Sequence, residues 1–273
     1  MRRFLLAILL AIPFATPLAA ATVDGLSINS TSVGSGPTLV FVHGWTCDLS
    51  SWDQQVPAFS KKYRVITLDL PGHGKSQLPR DGKLSMDLFA RAVEAVRAEA
   101  RADKIVLIGH SMGAPVIRQY ARLYPGRVAG LVAADGPLDM RGFPPPNFSA
   151  PPPLAGAEGL KRRETMVRGM FVPTTSPAIQ DQVLRMMLGT PEATASGAMA
   201  AMFDPAIRWT DPIKAPAVAI VAGTGRMPDV QKTREVLPNF ETSQIAGTGH
   251  FLMLEKPAEF NRYLTAFLDS IKY

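Results

Sequence analysis

Short apolar runs alternate with helical patterns along most of the chain. Five of these runs are continuous rather than alternating, which is typical of strands buried on both faces of a parallel sheet. They are Thr38–Val42, Arg64–Leu68, Lys104–Ile108, Gly130–Ala134 and Pro216–Ala222. Between them, apolar residues recur at helical spacing over Met86–Ala102 and Met112–Leu123. The pattern predicts an α/β fold with a doubly wound, mostly parallel sheet.

Residues 137–209 interrupt this alternation. The prolines between Pro137 and Pro153, which include two triplets, exclude a regular helix or a central strand there. From Leu160 to Phe203 the pattern predicts short helices with a break at Thr190-Pro191. The methionines and other apolar residues of this stretch favour a packed helical cap over the alternative, a mobile linker. We therefore expect a core formed by residues 22–136 and 210–273, with residues 137–209 inserted as a cap or lid.

The first 21 residues have the pattern of a secretory signal peptide. Arg2 and Arg3 precede an apolar run, and the small residues Ala19, Ala20 and Ala21 follow. The apolar run is shorter than the roughly 20 residues that span a bilayer, which argues against a membrane anchor. We expect cleavage near Ala20 or Ala21 and export of the mature chain to the periplasm or the medium, with no stable membrane anchor.

Composition narrows the possible classes of protein. A chain of 273 residues with 47% hydrophobic and 19% charged residues can build one large domain, and it is not a largely disordered chain. The net charge of +6 includes Arg2 and Arg3, and no run of Lys and Arg interleaved with aromatic residues indicates nucleic-acid binding. Cys47 is the only cysteine, which excludes an intramolecular disulfide and a multi-cysteine metal site.

The sharpest chemical signal is the turn Gly109-His110-Ser111-Met112-Gly113, which lies between a predicted strand and a predicted helix. In a G-x-S-x-G turn the serine occupies a strained corner, and its hydroxyl projects above the sheet. The position between strand and helix makes an ordinary Gly/Ser turn a poor explanation. Ser111 is therefore the candidate nucleophile.

Together with this turn, three further motifs resemble those of the α/β-hydrolase family, and the resemblance covers nearly all of the predicted mature chain. The three are His43-Gly44-Trp45, the stretch from Asp69 to Ser76 (DLPGHGKS), and Gly247-Thr248-Gly249-His250-Phe251 followed by Leu254-Glu255-Lys256-Pro257. The resemblance implies a capped serine hydrolase that needs neither a metal nor an organic cofactor.

A serine hydroxyl needs a base, and the chain has four histidines. His43 and His73 lie in glycine-containing turns and are interpreted as structural or site-shaping, while His110 lies inside the serine turn itself. His250 follows the last predicted strand, Glu241–Ile245, and matches the base position of the family. We predict that His250 is the base.

The acid that orients His250 is less clear from the sequence. In the family it usually follows the penultimate strand, but the expected position holds Arg226, and an arginine cannot serve. Asp229 fits better as the first turn of a helix over Val230–Leu237, where a carboxylate complements the helix dipole. Some relatives place the acid after an earlier strand, and Asp135 matches that position. Asp135 is the preferred acid, and Asp229 and the absence of a working acid stay open as alternatives.

Backbone N–H groups are expected to bind the oxyanion of the tetrahedral intermediate. Met112 follows the nucleophile and supplies one N–H group. The family match assigns the second to Trp45, whose indole is expected to line the acyl pocket or to belong to the core.

These features predict an exported serine carboxylesterase acting on a small to medium apolar molecule through an acyl-serine intermediate. Lactones, thioesters, carbon–carbon bonds and cofactor-free perhydrolysis use closely similar sites, so they stay as alternatives. A receptor-like binding protein with little turnover is the alternative from another class, because Arg226 occupies the usual acid position. The sequence does not determine the oligomeric state or the preferred acyl and alcohol groups.

Overall fold

The computed structural model describes residues 21–141 and 154–273. The predicted signal sequence, apart from Ala21, and both proline triplets lie outside these residues. Within them, the strands are β1 (Ala21–Val23), β2 (Leu26–Ile28), β3 (Ser30–Val33), β4 (Thr38–Val42), β5 (Arg64–Leu68), β6 (Ile105–His110), β7 (Val128–Ala134), β8 (Ala217–Ala222) and β9 (Phe240–Ile245).

Seven of these strands form one sheet in the order β3-β5-β4-β6-β7-β8-β9. All neighbours in this sheet are parallel except β3 and β5, and β1 and β2 form a separate antiparallel pair. Every residue of β4, β6 and β8 is buried, so the centre of the sheet is covered on both faces. The predicted fold class, an α/β fold around a doubly wound, mostly parallel sheet, is confirmed.

Helices connect and cover these strands. In the described residues they are α1 (Val56–Phe59), α2 (Met86–Glu99), α3 (Gly113–Leu123), α4 (Gly156–Arg168), α5 (Pro177–Gly189), α6 (Glu192–Met202), α7 (Val230–Arg234), α8 (Leu252–Glu255) and α9 (Pro257–Ser270), with 3-10 turns at Leu49–Trp52 and Pro125–Arg127. The apolar face of α3 packs against β6 and β7, and α9 packs against β8 and β9.

The central elements match their predicted bounds closely, and the main differences lie at element ends. β4 and β5 have the predicted bounds, whereas β6 runs two residues further, to His110. Helix α2 ends at Glu99 instead of Ala102 because Arg101 adopts a left-handed conformation with φ of 51°. The Arg101 and Ala102 N–H groups donate to the carbonyls of Ala98 and Arg97, which closes the helix in a Schellman arrangement.

We call residues 154–202, which contain the described helices α4, α5 and α6, the helical segment. The predicted break at Thr190-Pro191 is confirmed, since α5 ends at Gly189 and α6 begins at Glu192. Arg163 of α4 is buried and donates to the carbonyls of Met187, Leu188 and Thr190 at 3.2, 2.7 and 3.0 Å. This buried guanidinium therefore attaches α4 to the carboxyl end of α5.

Candidate active site

Ser111 occupies the sharp corner between β6 and α3. Its φ of 51° lies in the left-handed region, and its N–H donates to the Ala134 carbonyl of neighbouring β7 at 3.0 Å. A Cβ on Gly109 would lie 2.3 Å from the Gly113 carbonyl oxygen, so the corner closes only because glycine stands there. Ser111 is half-buried at the carboxyl edge of the sheet, in the geometry predicted for a nucleophile elbow.

Asp135 and His250, which are far apart in the sequence, meet at this edge of the sheet. Asp135 directly follows β7 and has a φ of 44°, and His250 lies on the loop after β9. His250 Nδ1 lies 2.6 Å from Asp135 Oδ2, so Nδ1 carries a proton that it donates to the carboxylate. In the neutral ring Nε2 is then left as a proton acceptor, a tautomer assigned from the hydrogen-bond network.

The protein environment favours the ionised form of Asp135. Burial raises the pKa of this carboxyl, but the hydrogen bond and charge interaction with His250 and the Ala222 N–H lower it by more. The net pKa lies below its ordinary value, so Asp135 is a carboxylate at neutral pH. Its side chain is only 12% exposed, which shields the pair from water.

The neighbouring strand β8 holds the other oxygen of Asp135. The Ala222 N–H donates to Oδ1 at 2.9 Å. A Cβ on Gly225 would lie 2.3 Å from the same oxygen, so the turn after β8 needs glycine to let the carboxylate in. Sequence reasoning did not identify Ala222 or Gly225, because no side-chain chemistry marks a backbone donor or a required gap.

Asp229, the alternative acid, has a different role in the structure. Its exposed side chain caps α7 by accepting from the Lys232 N–H at 3.0 Å, close to the helix-terminal role considered for it. Helix α7 is shorter than predicted and ends at Arg234. Arg226 is exposed at the rim of a cavity of about 130 Å³ that Asp135 also lines. The strand that supplies the partner of His250 is therefore β7, not β8.

The other three histidines are buried and neutral. His43 donates from Nδ1 to the Gly44 carbonyl at 2.8 Å and accepts from the Leu70 N–H at Nε2, so both ring nitrogens serve the backbone. His73 packs against His43 with ring centroids 5.0 Å apart. Burial lowers the pKa of all three rings, to about 3 for His73 and His110. These contacts agree with the predicted structural roles of His43 and His73.

These buried rings lead us to expect an acid-sensitive fold. In the unfolded chain a histidine has its ordinary pKa near 6.5, whereas His73 and His110 have pKa values of about 3 when folded. The unfolded state therefore binds more protons between these values, so their contribution to stability is complete above about pH 6.5 and is lost as the pH falls toward 3. For each of the two rings, the free energy of unfolding falls by roughly 1 kcal/mol for every unit that the pH falls within that window.

Urea unfolding of the wild type and of His73→Phe at about pH 7.5 and about pH 5.5 checks this expectation. The variant lacks one of the rings, so its free energy of unfolding should fall by roughly 1 kcal/mol less over this interval. Identical pH dependence in the two proteins would contradict the assignment of His73 as a buried neutral ring.

The loop after β4 runs beside the serine corner and contacts the helical segment. A Cβ on Gly44 would lie 3.1 Å from Ser111 Cβ, so the backbone leading into Trp45 passes next to the nucleophile. The Trp45 indole, expected in the acyl pocket or the core, is buried and donates from Nε1 to the Ala195 carbonyl of α6 at 2.8 Å. One residue later, the Thr46 carbonyl accepts from the Thr190 hydroxyl at 2.8 Å.

Met112 lies at the other side of Ser111. It is fully buried and precedes the first residue of α3. Its N–H group therefore belongs to the amino end of a helix, where backbone donors and the helix dipole favour a negative charge. The structure thus brings the two predicted oxyanion donors, Trp45 and Met112, to elements that flank Ser111.

The loop that carries His250 is held by polar contacts from both neighbouring elements. The His250 N–H donates to the Met170 carbonyl of the helical segment at 3.0 Å, and the Gly249 N–H donates to Glu255 Oε2 at 2.8 Å. The Thr248 hydroxyl accepts from the Gly223 N–H at 3.0 Å. Thr248 and Glu255 belong to the motif recognised in the sequence, but none of these three hydrogen bonds was predicted from it.

Cys47 is a free, buried cysteine. Burial, followed by the nearby Asp48 charge, raises the pKa of the Cys47 thiol to about 12, so this thiol is not a nucleophile at neutral pH. No group of three or more His, Cys, Asp or Glu side chains could hold a metal ion within residues 21–141 and 154–273. Over the same ranges, no helix is both long and apolar enough to cross a membrane.

The chain is similar to known proteins in sequence and in fold. Over 245 residues the chain is 27% identical to a Haemophilus influenzae protein provisionally named an esterase/lipase, a match that covers 85% of this chain and 83% of the relative. A shorter match of 132 residues is 36% identical to a pimeloyl-(acyl-carrier protein) methyl ester esterase of Aeromonas hydrophila and covers 48% of this chain and 50% of that enzyme.

The solved structures include a bromoperoxidase from Bacillus anthracis with a similar fold. It superposes with a TM-score of 0.80 at 23% identity, over 94% of this chain and 100% of the other. The sequence model of the alpha/beta hydrolase family matches residues 39–263, which contain Ser111, Asp135 and His250. The chain belongs to the alpha/beta hydrolase family.

Proposed function

We propose that this protein is a serine hydrolase that cleaves a carboxylic ester of a small to medium apolar molecule through an acyl-serine intermediate. The observation that carries the proposal is the 2.6 Å hydrogen bond from His250 Nδ1 to Asp135 Oδ2, at the sheet edge where Ser111 occupies its elbow. This bond leaves Nε2 of His250 as the acceptor that a serine base requires.

Five residues take part in the proposed reaction. Ser111 Oγ attacks the ester carbonyl carbon while His250 Nε2 takes the hydroxyl proton. The resulting imidazolium is stabilised by the Asp135 carboxylate, whose lowered pKa keeps it charged. The oxyanion accepts hydrogen bonds from the backbone N–H groups of Met112 and Trp45. Collapse of this intermediate breaks the C–O bond of the ester, leaves the acyl group on Ser111 Oγ, and releases the alcohol, whose oxygen takes the proton from His250.

The second half of the reaction returns the protein to its starting state. A water molecule loses a proton to His250 Nε2 and attacks the acyl carbon of the Ser111 ester. Collapse of the second tetrahedral intermediate breaks the bond to Ser111 Oγ, which recovers its proton from His250. The products are one carboxylic acid and one alcohol for each ester and water consumed.

Two observations support an ester of an apolar molecule as the substrate. The relatives from Haemophilus influenzae and Aeromonas hydrophila both have esterase in their names. In addition, the helical segment touches the loops of Trp45 and His250 and contributes partly buried apolar side chains. We propose that this segment is the cap of the site, and methionine side chains such as Met166, Met170 and Met186 suit irregular apolar groups.

Hydrolysis of p-nitrophenyl esters, from acetyl to dodecanoyl, tests the proposal. Activated esters acylate a serine quickly, so we expect a burst of about one equivalent of p-nitrophenol per chain, followed by slower steady-state release. The acyl length with the highest kcat/KM measures the extent of the acyl site. No burst and no turnover with any ester, in protein shown to be folded by circular dichroism, would contradict esterase activity.

A further inference from the structure

His110, the residue immediately before Ser111, is in contact with the candidate base. It is the last residue of β6 and is buried. Its Nε2 lies 2.9 Å from the His250 carbonyl oxygen, so Nε2–H donates to that oxygen. The two imidazole rings pack with centroids 4.7 Å apart, and the Phe251 ring lies 5.1 Å from the His110 ring.

The same ring also borders the loop that carries Trp45. A Cβ on Gly44 would lie 3.0 Å from His110 Nδ1, so a side chain at that position would crowd the ring. The His110 imidazole thus lies next to the serine corner and contacts both the loop after β4 and the loop that carries His250. Because His110 belongs to β6, a central and fully buried strand, these contacts connect the two loops to the centre of the sheet.

His110 acts in this arrangement as a hydrogen-bond donor and not as an acid or base. Burial, followed by the charge interaction with His250, lowers the pKa of His110 to about 3, so the ring stays neutral at physiological pH. Its one ring proton is on Nε2, bonded to the His250 carbonyl. Among residues 21–141 and 154–273, Nδ1 has no hydrogen-bond partner.

The main chain of His250 is therefore fixed on both sides. Its N–H group donates to the Met170 carbonyl at 3.0 Å, and its carbonyl accepts from His110. A base must be held within about 0.5 Å of its productive position, and a displacement of about 1 Å can cost on the order of 100-fold in rate. The Met170 contact connects the His250 main chain to the helical segment. The His110 contact connects it to the residue next to Ser111, and so fixes its position relative to the nucleophile.

We propose that His110 is a positioning residue for the hydrolytic reaction, and that its Nε2–H bond to the His250 carbonyl sets the position of the base relative to Ser111. The inference rests on the proposed serine mechanism. It assigns no proton transfer to His110, which acts only through His250.

Two substitutions separate the hydrogen bond from the packing of the ring. His110→Phe keeps a planar ring but removes the donor, and His110→Gln keeps an N–H group near the position of Nε2. We expect His110→Phe to lower kcat for p-nitrophenyl acetate by about 10- to 100-fold with KM changed less than about threefold. His110→Gln should recover most of that loss.

His73→Phe is the matched control. His73 is also a buried, neutral histidine, but it packs against His43 and Phe89 and not against His250. The same substitution at this position is expected to change thermal stability while kcat stays within about threefold of the wild type. A loss of kcat in His73→Phe equal to that in His110→Phe would overturn the proposal.

A double-mutant cycle with Asp135→Asn tests whether His110 acts through His250. Once Asp135→Asn has removed the orientation of the ring, the added loss from His110→Phe should shrink to less than about threefold. Equal fold losses in both backgrounds would indicate a general packing effect and overturn the proposal. Wild-type kcat in His110→Phe would overturn it as well.

Two further measurements cover the case in which His110→Phe does not fold and the case in which the serine mechanism fails. If His110→Phe does not fold, His110→Asn replaces it, because an asparagine amide is too short to reach the His250 carbonyl and should lose activity where His110→Gln retains it. Equal kcat for the asparagine and glutamine variants would overturn the proposal. Failure of the serine mechanism itself is seen separately, as a folded wild-type protein with neither a p-nitrophenol burst nor turnover, or as turnover that persists in Ser111→Ala.

Discussion

Ser111→Ala is expected to lower kcat/KM for p-nitrophenyl esters by about 10⁶-fold. The substitution removes the only atom that forms the acyl bond in the proposed reaction, and His250 is left with no hydroxyl to deprotonate. Alanine and serine at φ of 51° have a similar steric cost, so the thermal midpoint should change little. Steady-state hydrolysis and the p-nitrophenol burst measure the effect.

Ser270→Ala is the control for this substitution. Ser270 is exposed at the carboxyl end of α9, far along the chain from the serine corner, and its hydroxyl donates to the Phe267 carbonyl. This variant should hydrolyse esters at the wild-type rate. Retention of the burst in Ser111→Ala would show that another group is acylated and would reject Ser111 as the nucleophile.

Asp135→Asn should lower kcat by about 10⁴-fold. The carboxylate presents two oxygens to two donors, the Ala222 N–H and His250 Nδ1–H. An asparagine has one oxygen and one NH₂ group, so one of the two donors loses its acceptor. If the NH₂ group faces Nδ1, the ring adopts the other tautomer and Nε2 carries a proton, which prevents it from acting as a base. The loss of negative charge also removes the stabilisation of the imidazolium.

Asp229→Asn provides the comparison that separates the two candidate acids. Asp229 is exposed, and asparagine is also a good residue at the amino-terminal cap of a helix. We expect this variant to retain kcat within about twofold and to unfold at nearly the same temperature. Equal activity of the two variants would remove Asp135 from the proposed mechanism.

The sequence predicted the centre of the fold well because buried parallel strands leave continuous apolar runs. The strands β4 and β5 were predicted with the bounds that the structure shows. The strands β1–β3 were missed because they have three or four residues each, and β3 is half-buried and contains Ser and Thr. Such short segments pair through their neighbours rather than through a hydrophobic pattern of their own.

The site was predictable where one local motif defines a position, and less so where a long-range contact does. The turn at Ser111 and the loop at His250 each have a local signature. The choice between Asp135 and Asp229 needed the structure, because it depends on which carboxylate meets a ring 115 positions away in the chain. The contacts of His110 and Trp45 were missed for the same reason, since each side chain donates to a backbone carbonyl that is distant in the sequence.

The attachment of the helical segment to the loop after β4 restricts how this protein could be re-engineered. Grafting the corresponding helices of another family member in place of residues 154–202 would break the hydrogen bond from the buried Trp45 indole, unless the new helix placed a backbone carbonyl where that of Ala195 lies. It would also remove the Thr190 hydroxyl that donates to the Thr46 carbonyl. Each buried polar group left without a partner costs about 1–3 kcal/mol. A chimera with altered substrate range would therefore need a hydroxyl donor at the position of Thr190, and either a carbonyl at the position of Ala195 or a residue without a buried donor in place of Trp45.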